Sequence, residues 1–331
     1  HDAARNRKGG STVLAVVAHR PGPPDVLLPV ELPDPEPGVG QVRVAVEVAA
    51  VTFVETLVRA GSAAVPRAEF PVVPGNGVGG RVDRVGAGVD HAWLGTRVVT
   101  TTGGAGGYAT LALARAEDLH RLPDGVDLRT ATALLADGRT AVGLFRVAAV
   151  GAGETVVVTA AAGGVGSLLV QLVRAAGVRV IGLVGSDAKA RVVRDRGADV
   201  VVVYEEPGWP EEVRAAAPAG VDVVFDGVSG QVTAALFPLV RSGGRYVRHG
   251  VASGAWYELD DAGAAARGVT VVPLSAIAPD GTFDLAEEAL GLAARGVIAP
   301  VVGQTFPLAD AAGAHAAIAA RTAVGKTLLL V

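Results

Sequence analysis

The stretch from residue 155 to residue 189 has the residue types and spacing of a nucleotide-binding turn. It contains an apolar β-branched run, a glycine turn, a helical pattern and a second apolar run, TVVVTAAAGGVGSLLVQLVRAAGVRVIGLVGSDAK. The turn, AAGGVG, matches the dinucleotide fingerprint with alanine in the first glycine position. Small residues let the backbone approach a pyrophosphate, and free N–H groups at the helix start face that anion. The sequence therefore predicts cofactor contacts at Ala162, Gly163, Gly164, Val165 and Gly166.

The residues after the second apolar run indicate which dinucleotide is bound. An NAD site usually ends this strand with an acidic side chain that accepts hydrogen bonds from the ribose. Here Gly185 and Ser186 stand at that place and Lys189 follows, so a 2′-phosphate has room and a cation to neutralise it. This pattern favours NADPH. Two alternatives stay open: Asp187 is the ribose acceptor if the strand ends later, or Ser186 is a helix N-cap and Lys189 lies on a solvated face.

The surrounding pattern predicts an α/β protein with two domains. Residues 135–278 alternate apolar runs with helical patterns, which is typical of a doubly wound parallel sheet (Rossmann fold). We expect strands at 156–158, 178–184, 200–203, 221–225, 245–247 and 269–274, and helices at 168–173 and 231–240. Residues 11–134 show short alternating runs broken by Pro and Gly clusters, which indicate a compact β-barrel. We expect residues 279–331 to return to that barrel, with the active site in the cleft between the domains.

Composition and charge limit the classes of partner. The net charge of −4 argues against a nucleic-acid surface, and no apolar run reaches the length of a membrane span. The opening RNRKGG and the following STVLAVVA imitate a signal peptide. We interpret residues 1–10 as a flexible basic tail that leads into the first barrel strand. We therefore expect a cytoplasmic enzyme with a small-molecule substrate and neither a nucleic-acid nor a membrane partner.

Several stretches together resemble a known family: HRPGPPDVLLPVE (19–31), PGNGVGGRVDRVGAGV (74–89), TVVVTAAAGGVGSLLVQLVRAAG (155–177), GRYVRHGVASG (244–254) and VGKTLLLV (324–331). They are similar to the medium-chain dehydrogenase/reductase superfamily, in its zinc-free quinone oxidoreductase (zeta-crystallin-like) branch. The resemblance covers nearly the whole chain and is most specific in the nucleotide stretch. It implies a GroES-like barrel domain, a Rossmann domain that binds NADPH, and a homodimer joined through the sheet edges, for which residues 269–274 are the candidate strand. A buried final strand in a monomer is the alternative for that run.

The resemblance also implies site residues. The 2′-phosphate contacts correspond to Ser186, Lys189, Tyr204 and Arg321, with Lys326 as a weaker candidate. The nicotinamide end corresponds to Thr140, Val228 and the turn that contributes His249, Gly250, Val251 and Ser253. Ordinary structural roles compete with these assignments, since surface cations are usually solvated and an imidazole at a strand end is usually a structural hydrogen-bonding group.

Zinc is not expected. The chain has no cysteine, and its six histidines lie far apart in sequence. A structural zinc site of the zinc-dependent branch needs four thiolates. Where that branch carries a catalytic Cys and a His-Glu pair, this chain has Thr52 and Asn76-Gly77.

The candidate substrate region departs from the family pattern. The family often places Asn and Tyr where this chain has Thr52 and Leu57. The Thr52 hydroxyl can bind a substrate oxygen or the cofactor ribose, so it is the candidate catalytic residue, although it is not a strong general acid. Tyr108, Trp256 and Tyr257 either line the cleft or serve packing.

Because Thr52 is a weak proton donor, we expect electron acceptors whose reduction does not require a strong general acid from the protein. A quinone or an enone requires only hydride delivery and a hydrogen bond to the developing oxyanion. We therefore expect an NADPH-dependent reductase of such conjugated acceptors. Two alternatives remain: a tailoring enoyl reductase or related enzyme acting on a polyketide-like intermediate, and a non-catalytic NADPH-binding sensor or structural protein.

Overall fold

A computed structural model of the chain describes residues 11–277 and 282–331. The flexible tail expected at residues 1–10 and the domain boundary expected at 278/279 fall outside these ranges. The strands are β1 (Thr12–Ala18), β2 (Leu27–Pro33), β3 (Gln41–Val51), β4 (Gly77–Val85), β5 (Arg97–Thr101), β6 (Leu111–Arg115), β7 (His120–Arg121), β8 (Thr155–Val158), β9 (Arg179–Val184), β10 (Val200–Val203), β11 (Val221–Asp226), β12 (Val240–Arg248), β13 (Thr270–Pro273), β14 (Val302–Pro307) and β15 (Lys326–Leu330). The helices are α1 (Phe53–Ala60), α2 (Leu128–Ala148), α3 (Gly164–Ala175), α4 (Asp187–Asp195), α5 (Trp209–Ala216), α6 (Gln231–Leu236), α7 (Asp261–Ala266), α8 (Thr282–Ala294) and α9 (Ala311–Ala319).

The nucleotide half is built on a parallel sheet with the order β10-β9-β8-β11-β12-β13. Its central strands are valine-rich runs with no exposed residue, as expected for strands covered on both faces. The chain starts at β8 in the middle of the sheet and adds β9 and β10 on one side. It then adds β11, β12 and β13 on the other side, so the strand order reverses between β8 and β11. Ligands of such sheets bind at the carboxyl ends of the strands at this reversal. The doubly wound sheet predicted from the sequence is confirmed.

The other half contains a second sheet with the order β14-β15-β3-β4-β5-β7, and β6 also pairs with β3. The long strand β3 is almost wholly buried, which makes it the centre of this half. The C-terminal strand β15 pairs antiparallel with β3, with Thr327 opposite Val51. This register sets the start of β15 beside the residue that follows β3, Thr52.

Helix α2 connects the two halves. Asp127 caps its start, with the carboxylate accepting the N–H groups of Arg129 and Thr130 at 2.9 and 3.0 Å. The helix packs against α3 and α8 and also against β4 and β5. The domain boundary expected at 134/135 therefore falls inside one continuous helix. Residues from α2 reach the space between the halves.

The helix predicted at 231–240 is too long. Helix α6 ends at Leu236, a 3-10 turn covers Phe237–Leu239, and β12 begins at Val240. Pro238 lies in that turn, and a proline lacks the N–H that would continue the helical hydrogen bonds. Strand β12 is consequently longer than the predicted three residues. The apolar run at 269–274 forms β13, which lies at one edge of the sheet.

Candidate functional site

The glycine turn after β8 has the geometry that its sequence predicts. Gly163 is the N-cap of α3, and its N–H donates to the Ala160 carbonyl at 2.8 Å. A Cβ built on Gly166 would overlap that same carbonyl oxygen, so only glycine allows α3 to pack this closely. The turn is thereby held tight against the end of β8.

The C-terminal segment is fixed to this turn by backbone contacts. Gly163 forms a parallel bridge with Gly325, whose N–H donates to the Ala162 carbonyl at 2.7 Å. Gly325 has φ +59° and no room for a side chain beside Val301, so the approach requires glycine. The nucleotide turn and the strand that pairs with β3 therefore share one edge of the site.

A cleft of about 360 Å³ opens at this edge. Its lining combines residues from both halves of the chain. The predicted site residues that it brings together are Thr52, Ala162, Gly163, Gly164, Val165, Ser186, Lys189, Tyr204, Arg321 and Lys326. Asp137 and Glu205, which the sequence did not single out, also line it. Another, more open pocket of about 590 Å³ lies beside Glu47 and Arg97 and includes none of the predicted site residues.

One end of the cleft collects the cationic and hydroxyl groups expected around a 2′-phosphate. Strand β9 stops at Val184, so Asp187 begins α4 and does not line the cleft. Ser186 is the N-cap of α4, but its side chain makes no capping hydrogen bond. The Lys189 ammonium donates to the Arg321 carbonyl at 2.7 Å, and burial followed by the charge of Arg321 lowers the pKa of Lys189. The positive charges of Lys189 and Arg321 therefore lie close enough to repel each other, and a bound anion would stabilise both.

The surroundings of Lys326 include an ion pair that its expected role did not anticipate. The sequence grouped it with the 2′-phosphate contacts, but its ammonium is buried and ion-paired with Asp137 at 3.0 Å. Asp137 in turn touches the start of α3, because a Cβ on Gly164 would overlap its carboxylate. Lys326 therefore lies beside the start of α3, in the same cleft as Lys189 and Arg321.

Thr52 lies at the junction of β3 and α1 and lines the cleft. Its hydroxyl oxygen accepts the Glu55 N–H at 3.3 Å, and the Glu55 carboxylate accepts the Thr52 N–H at 2.7 Å. This reciprocal capping box orients the threonine and leaves its hydroxyl hydrogen available to a ligand. The hydroxyl is thus positioned as a hydrogen-bond donor to an acceptor oxygen or to the cofactor.

Glu55 belongs to a buried polar chain that sequence reasoning missed. Its carboxylate also accepts the Asn76 N–H and the Tyr108 hydroxyl, each at 2.9 Å, and the Tyr108 oxygen lies 3.0 Å from Nε2 of His315. Burial raises the pKa of Glu55, whereas its hydrogen bonds and the charge of Lys326 act in the opposite direction. The Thr52-x-x-Glu55 spacing is a capping-box signal that would have identified Glu55.

Tyr108 does not line the cleft, although the sequence left that role open. It is fully buried in the core beneath Thr52. Trp256 is exposed instead, with the Arg248 guanidinium 5.1 Å from its ring centre. The Tyr257 N–H donates to the Ser229 hydroxyl at 3.0 Å. Neither Trp256 nor Tyr257 is among the lining residues.

Several residues expected at the nicotinamide end are not part of this cleft. They are Thr140, Val228, His249, Gly250, Val251 and Ser253, while Ala252 of the same turn does line it. The Thr140 hydroxyl donates a hydrogen bond to the Ala136 carbonyl at 2.8 Å. The Asp226 carboxylate accepts the Val228 N–H at 3.0 Å and thereby fixes the end of β11. Gly166 is likewise not among the lining residues, and its lack of a side chain lets α3 pack against Ala160.

His249 has a structural environment. Its Nε2 is buried without a partner among the described residues, and its ring packs against the backbone of Gly227. Burial lowers the pKa of His249 to about 4, although the nearby Asp226 carboxylate acts in the opposite direction. The imidazole is therefore neutral near pH 7.

Comparisons with known proteins agree with this architecture. The pattern of the zinc-binding dehydrogenase family matches residues 196–329, and that of the alcohol dehydrogenase GroES-like domain matches residues 38–124. A quinone oxidoreductase from Pseudomonas aeruginosa is 34% identical, covering 93% of this chain and 97% of its own. A 2-haloacrylate reductase from a Burkholderia species is 32% identical, covering 96% and 99%.

Solved structures give the same result. Escherichia coli quinone oxidoreductase complexed with NADPH has a TM-score of 0.89 at 28% identity, covering 96% of this chain and all of the other. A mycobacterial protein complexed with NADPH has a TM-score of 0.88 at 35% identity, with 96% of this chain covered. The expected family and the expected two-part fold are confirmed. The chain belongs to the medium-chain dehydrogenase/reductase family of oxidoreductases and is similar over nearly its whole length to quinone oxidoreductases.

Proposed function

We propose that this protein transfers a hydride from NADPH to a conjugated acceptor, a quinone or an enone, without zinc. The observation that carries the proposal is the single cleft in which the glycine turn, the Lys189–Arg321 pair and the Thr52 hydroxyl meet. Oxidoreductase activity and NADPH as the cofactor are confirmed by the relatives and by the NADPH-containing neighbours. The acceptor class and the independence from zinc are the proposed part.

The residues present fit NADPH. When bound, the cofactor supplies a hydride from C4 of its nicotinamide. Gly163, Gly164 and the start of α3 would accommodate the diphosphate, while Lys189, Ser186 and Tyr204 would hold the 2′-phosphate. Thr52 donates a hydrogen bond to the acceptor oxygen as charge develops there, and water supplies the proton. The chain thus positions the reactants and stabilises an oxyanion, which suffices for an acceptor that is already polarised by conjugation.

We propose that no catalytic metal takes part, because the chain offers few suitable ligands. Within the ranges that the structure describes, no three His, Cys, Asp or Glu side chains are grouped so as to hold a metal ion. The chain has no cysteine at all. Activity should therefore survive dialysis against a strong chelator, and stoichiometric zinc in the active protein would contradict this part of the proposal.

One relative bears on the acceptor. The Burkholderia protein is named for the reduction of 2-haloacrylate, which is an activated alkene. This similarity supports a conjugated carbon–carbon double bond as well as a quinone among the acceptors, and it keeps the tailoring enoyl reductase as the second candidate. NADPH oxidation with a panel of quinones, enones and unconjugated ketones tests the proposal. Turnover of the first two classes supports it, and tight NADPH binding without turnover of any acceptor favours the non-catalytic alternative.

Assembly and location remain predictions. No helix in the described part of the chain is long and apolar enough to cross a membrane. We propose a homodimer joined through the exposed edge of β13, where Pro273 limits further strand pairing. A solution mass near that of one chain, 33.1 kDa, at micromolar concentration would contradict the dimer. The cytoplasmic location expected from the sequence is proposed on the same terms, and its direct test is fractionation of the producing cells.

A further inference from the structure

An acidic side chain lies at the start of α3, where the diphosphate of a bound dinucleotide is expected. Asp137 comes from α2 and lines the cleft. One of its oxygens lies 3.0 Å from the Lys326 ammonium, and the other lies against the Cα of Gly164. The Lys326 side chain is only 4% exposed and that of Asp137 16%, so the pair is poorly screened by water.

The same place has the properties of a phosphate site. The N–H groups of Gly164, Val165 and Gly166 have no hydrogen-bond acceptor in the described part of the chain. These free donors and the positive end of the helix dipole favour an anion there. Lys326 adds a full positive charge next to them. The Asp137 carboxylate is therefore ion-paired with this ammonium and lies next to the helix start. A dinucleotide diphosphate would need both the ammonium and the space at the helix start.

The charges of the cleft show why this matters. Its cations are Lys189, Arg321 and Lys326, and its carboxylates are Asp137 and Glu205. A diphosphate brings negative charge to the position that Asp137 already occupies, and like charges at short range in a poorly solvated site repel. Lys326 cannot neutralise both anions fully.

We propose that Asp137 is an internal competitor of the cofactor diphosphate: it holds Lys326 in the cofactor-free protein and weakens the binding of every dinucleotide. This rests on the proposed binding of NADPH in this cleft. Because reduced and oxidised cofactors carry the same diphosphate, Asp137 weakens both alike. The carboxylate thus favours rapid exchange of spent cofactor and leaves the choice between NADPH and NADH to the 2′-phosphate residues.

The test compares cofactor affinities of the full-length protein by titration calorimetry. Asp137→Asn removes the charge and keeps the size, so the Kd values of NADPH, NADP⁺ and NADH should all fall by a similar factor, on the order of tenfold. Asp137→Glu retains the charge and should not tighten binding. Lys326→Gln should weaken all three ligands. A neutral Asp137 variant that binds all three more weakly, or with unchanged affinity, would overturn the proposal and make Asp137 a positioning partner of Lys326.

A second comparison avoids the unpaired buried ammonium that Asp137→Asn leaves, which is itself destabilising. In the Lys326→Gln background, adding Asp137→Asn should tighten NADPH binding relative to Lys326→Gln alone, because the repulsive carboxylate is gone. Equal or weaker binding by the double variant would again overturn the proposal. If the wild-type protein binds neither NADPH nor NADH, the proposed function fails instead, so the two failures are distinguishable.

Discussion

The hydroxyl of Tyr108 donates to Oε2 of Glu55 at 2.9 Å in the buried core below Thr52. Glu55 also accepts two backbone N–H groups, so all three of its partners donate. Because the Tyr108 hydroxyl donates its hydrogen to Glu55, Nε2 of His315 is the donor in the 3.0 Å contact with the Tyr108 oxygen. The other ring nitrogen of His315 is buried without a partner among the described residues, as a neutral imidazole allows.

Removing this hydroxyl should affect stability but not cofactor binding. Tyr108→Phe leaves Glu55 one donor short and His315 without an acceptor, and we expect the free energy of unfolding to fall by about 1–3 kcal/mol. The Kd for NADPH should stay unchanged, because Tyr108 does not line the cleft. Urea unfolding measures the first quantity. Tyr257→Phe is the matched control, and an equal loss of stability in both variants would contradict the importance of the buried chain.

The buried histidines predict acid sensitivity. Burial, assisted by the charge of Arg59, lowers the pKa of His315 to about 3. The unfolded chain protonates this histidine near its ordinary pKa of about 6.5, so between these values the unfolded state binds more protons. The stability supplied by neutral His315 is therefore present above about pH 6.5 and is lost as the pH falls. The raised pKa of Glu55 opposes this trend, and the lowered pKa of His249 reinforces it.

The variant His315→Gln isolates one contribution to this pH dependence. We expect its stability to fall less steeply than that of the wild type between about pH 6 and 4, with a difference of up to about 1.4 kcal/mol per pH unit. Denaturant unfolding at a series of pH values gives both slopes. Parallel slopes for the two proteins would show that His315 is protonated equally in the folded and unfolded states.

Lys189 should decide between the two nicotinamide cofactors. Lys189→Ala removes a charge-assisted contact to the 2′-phosphate, which is worth about 1.5–3 kcal/mol, and should weaken NADPH binding accordingly while NADH binding hardly changes. Arg191→Ala makes the same charge change on the exposed side of α4 and is the control. Equal wild-type affinities for NADPH and NADH would contradict the assignment of this end of the cleft.

Glu205 should weaken the binding of NADPH but not that of NADH. Its carboxylate is exposed but lines the cleft beside Tyr204, whose pKa is raised by burial and then by the charge of Glu205. Glu205→Gln should lower the Kd for NADPH by about two- to fivefold at low salt, with a smaller effect at high salt, because exposed charges are screened. Glu206→Gln, one residue on and outside the lining, is the control. A change that is equal for NADPH and NADH would contradict the placement.

Thr52 carries two functions that substitutions can separate. Thr52→Val deletes the hydroxyl, so turnover should fall by roughly tenfold or more, and the lost cap of α1 should lower stability by about 0.5–2 kcal/mol. Thr52→Ser retains both the cap and the donor and should stay close to wild type in both measurements. If Thr52→Val loses stability but keeps its turnover, positioning by the cleft carries the reaction instead.

The sequence predicted the nucleotide half well because its signals are local. The turn from Ala161 to Gly166 and the flanking apolar runs lie within one βαβ unit, and the backbone requirements of glycine belong to the turn itself. The end of β9 before Ser186 was also predictable. These features determine a large part of the site regardless of how distant segments pack.

The remaining contacts depend on long-range packing. The ion pair of Lys326 with Asp137 could not be predicted, because it depends on the register of β15 and on a residue that is far away in sequence. The link from Glu55 through Tyr108 to His315 joins three distant segments, so no periodicity indicates it. Only the capping-box half of that arrangement, Thr52 and Glu55, was open to inference from spacing.

The most direct test of hydride transfer to a conjugated acceptor follows the hydride itself. NADPH deuterated at both C4 positions is incubated with the protein and an enone, and the product is analysed by mass spectrometry and NMR. We predict one deuterium on the β-carbon of the saturated ketone, a proton from water on the α-carbon, and no product from an unconjugated ketone. Deuterium at the carbinol carbon of an alcohol, or tight NADPH binding without label in any product, would contradict the account.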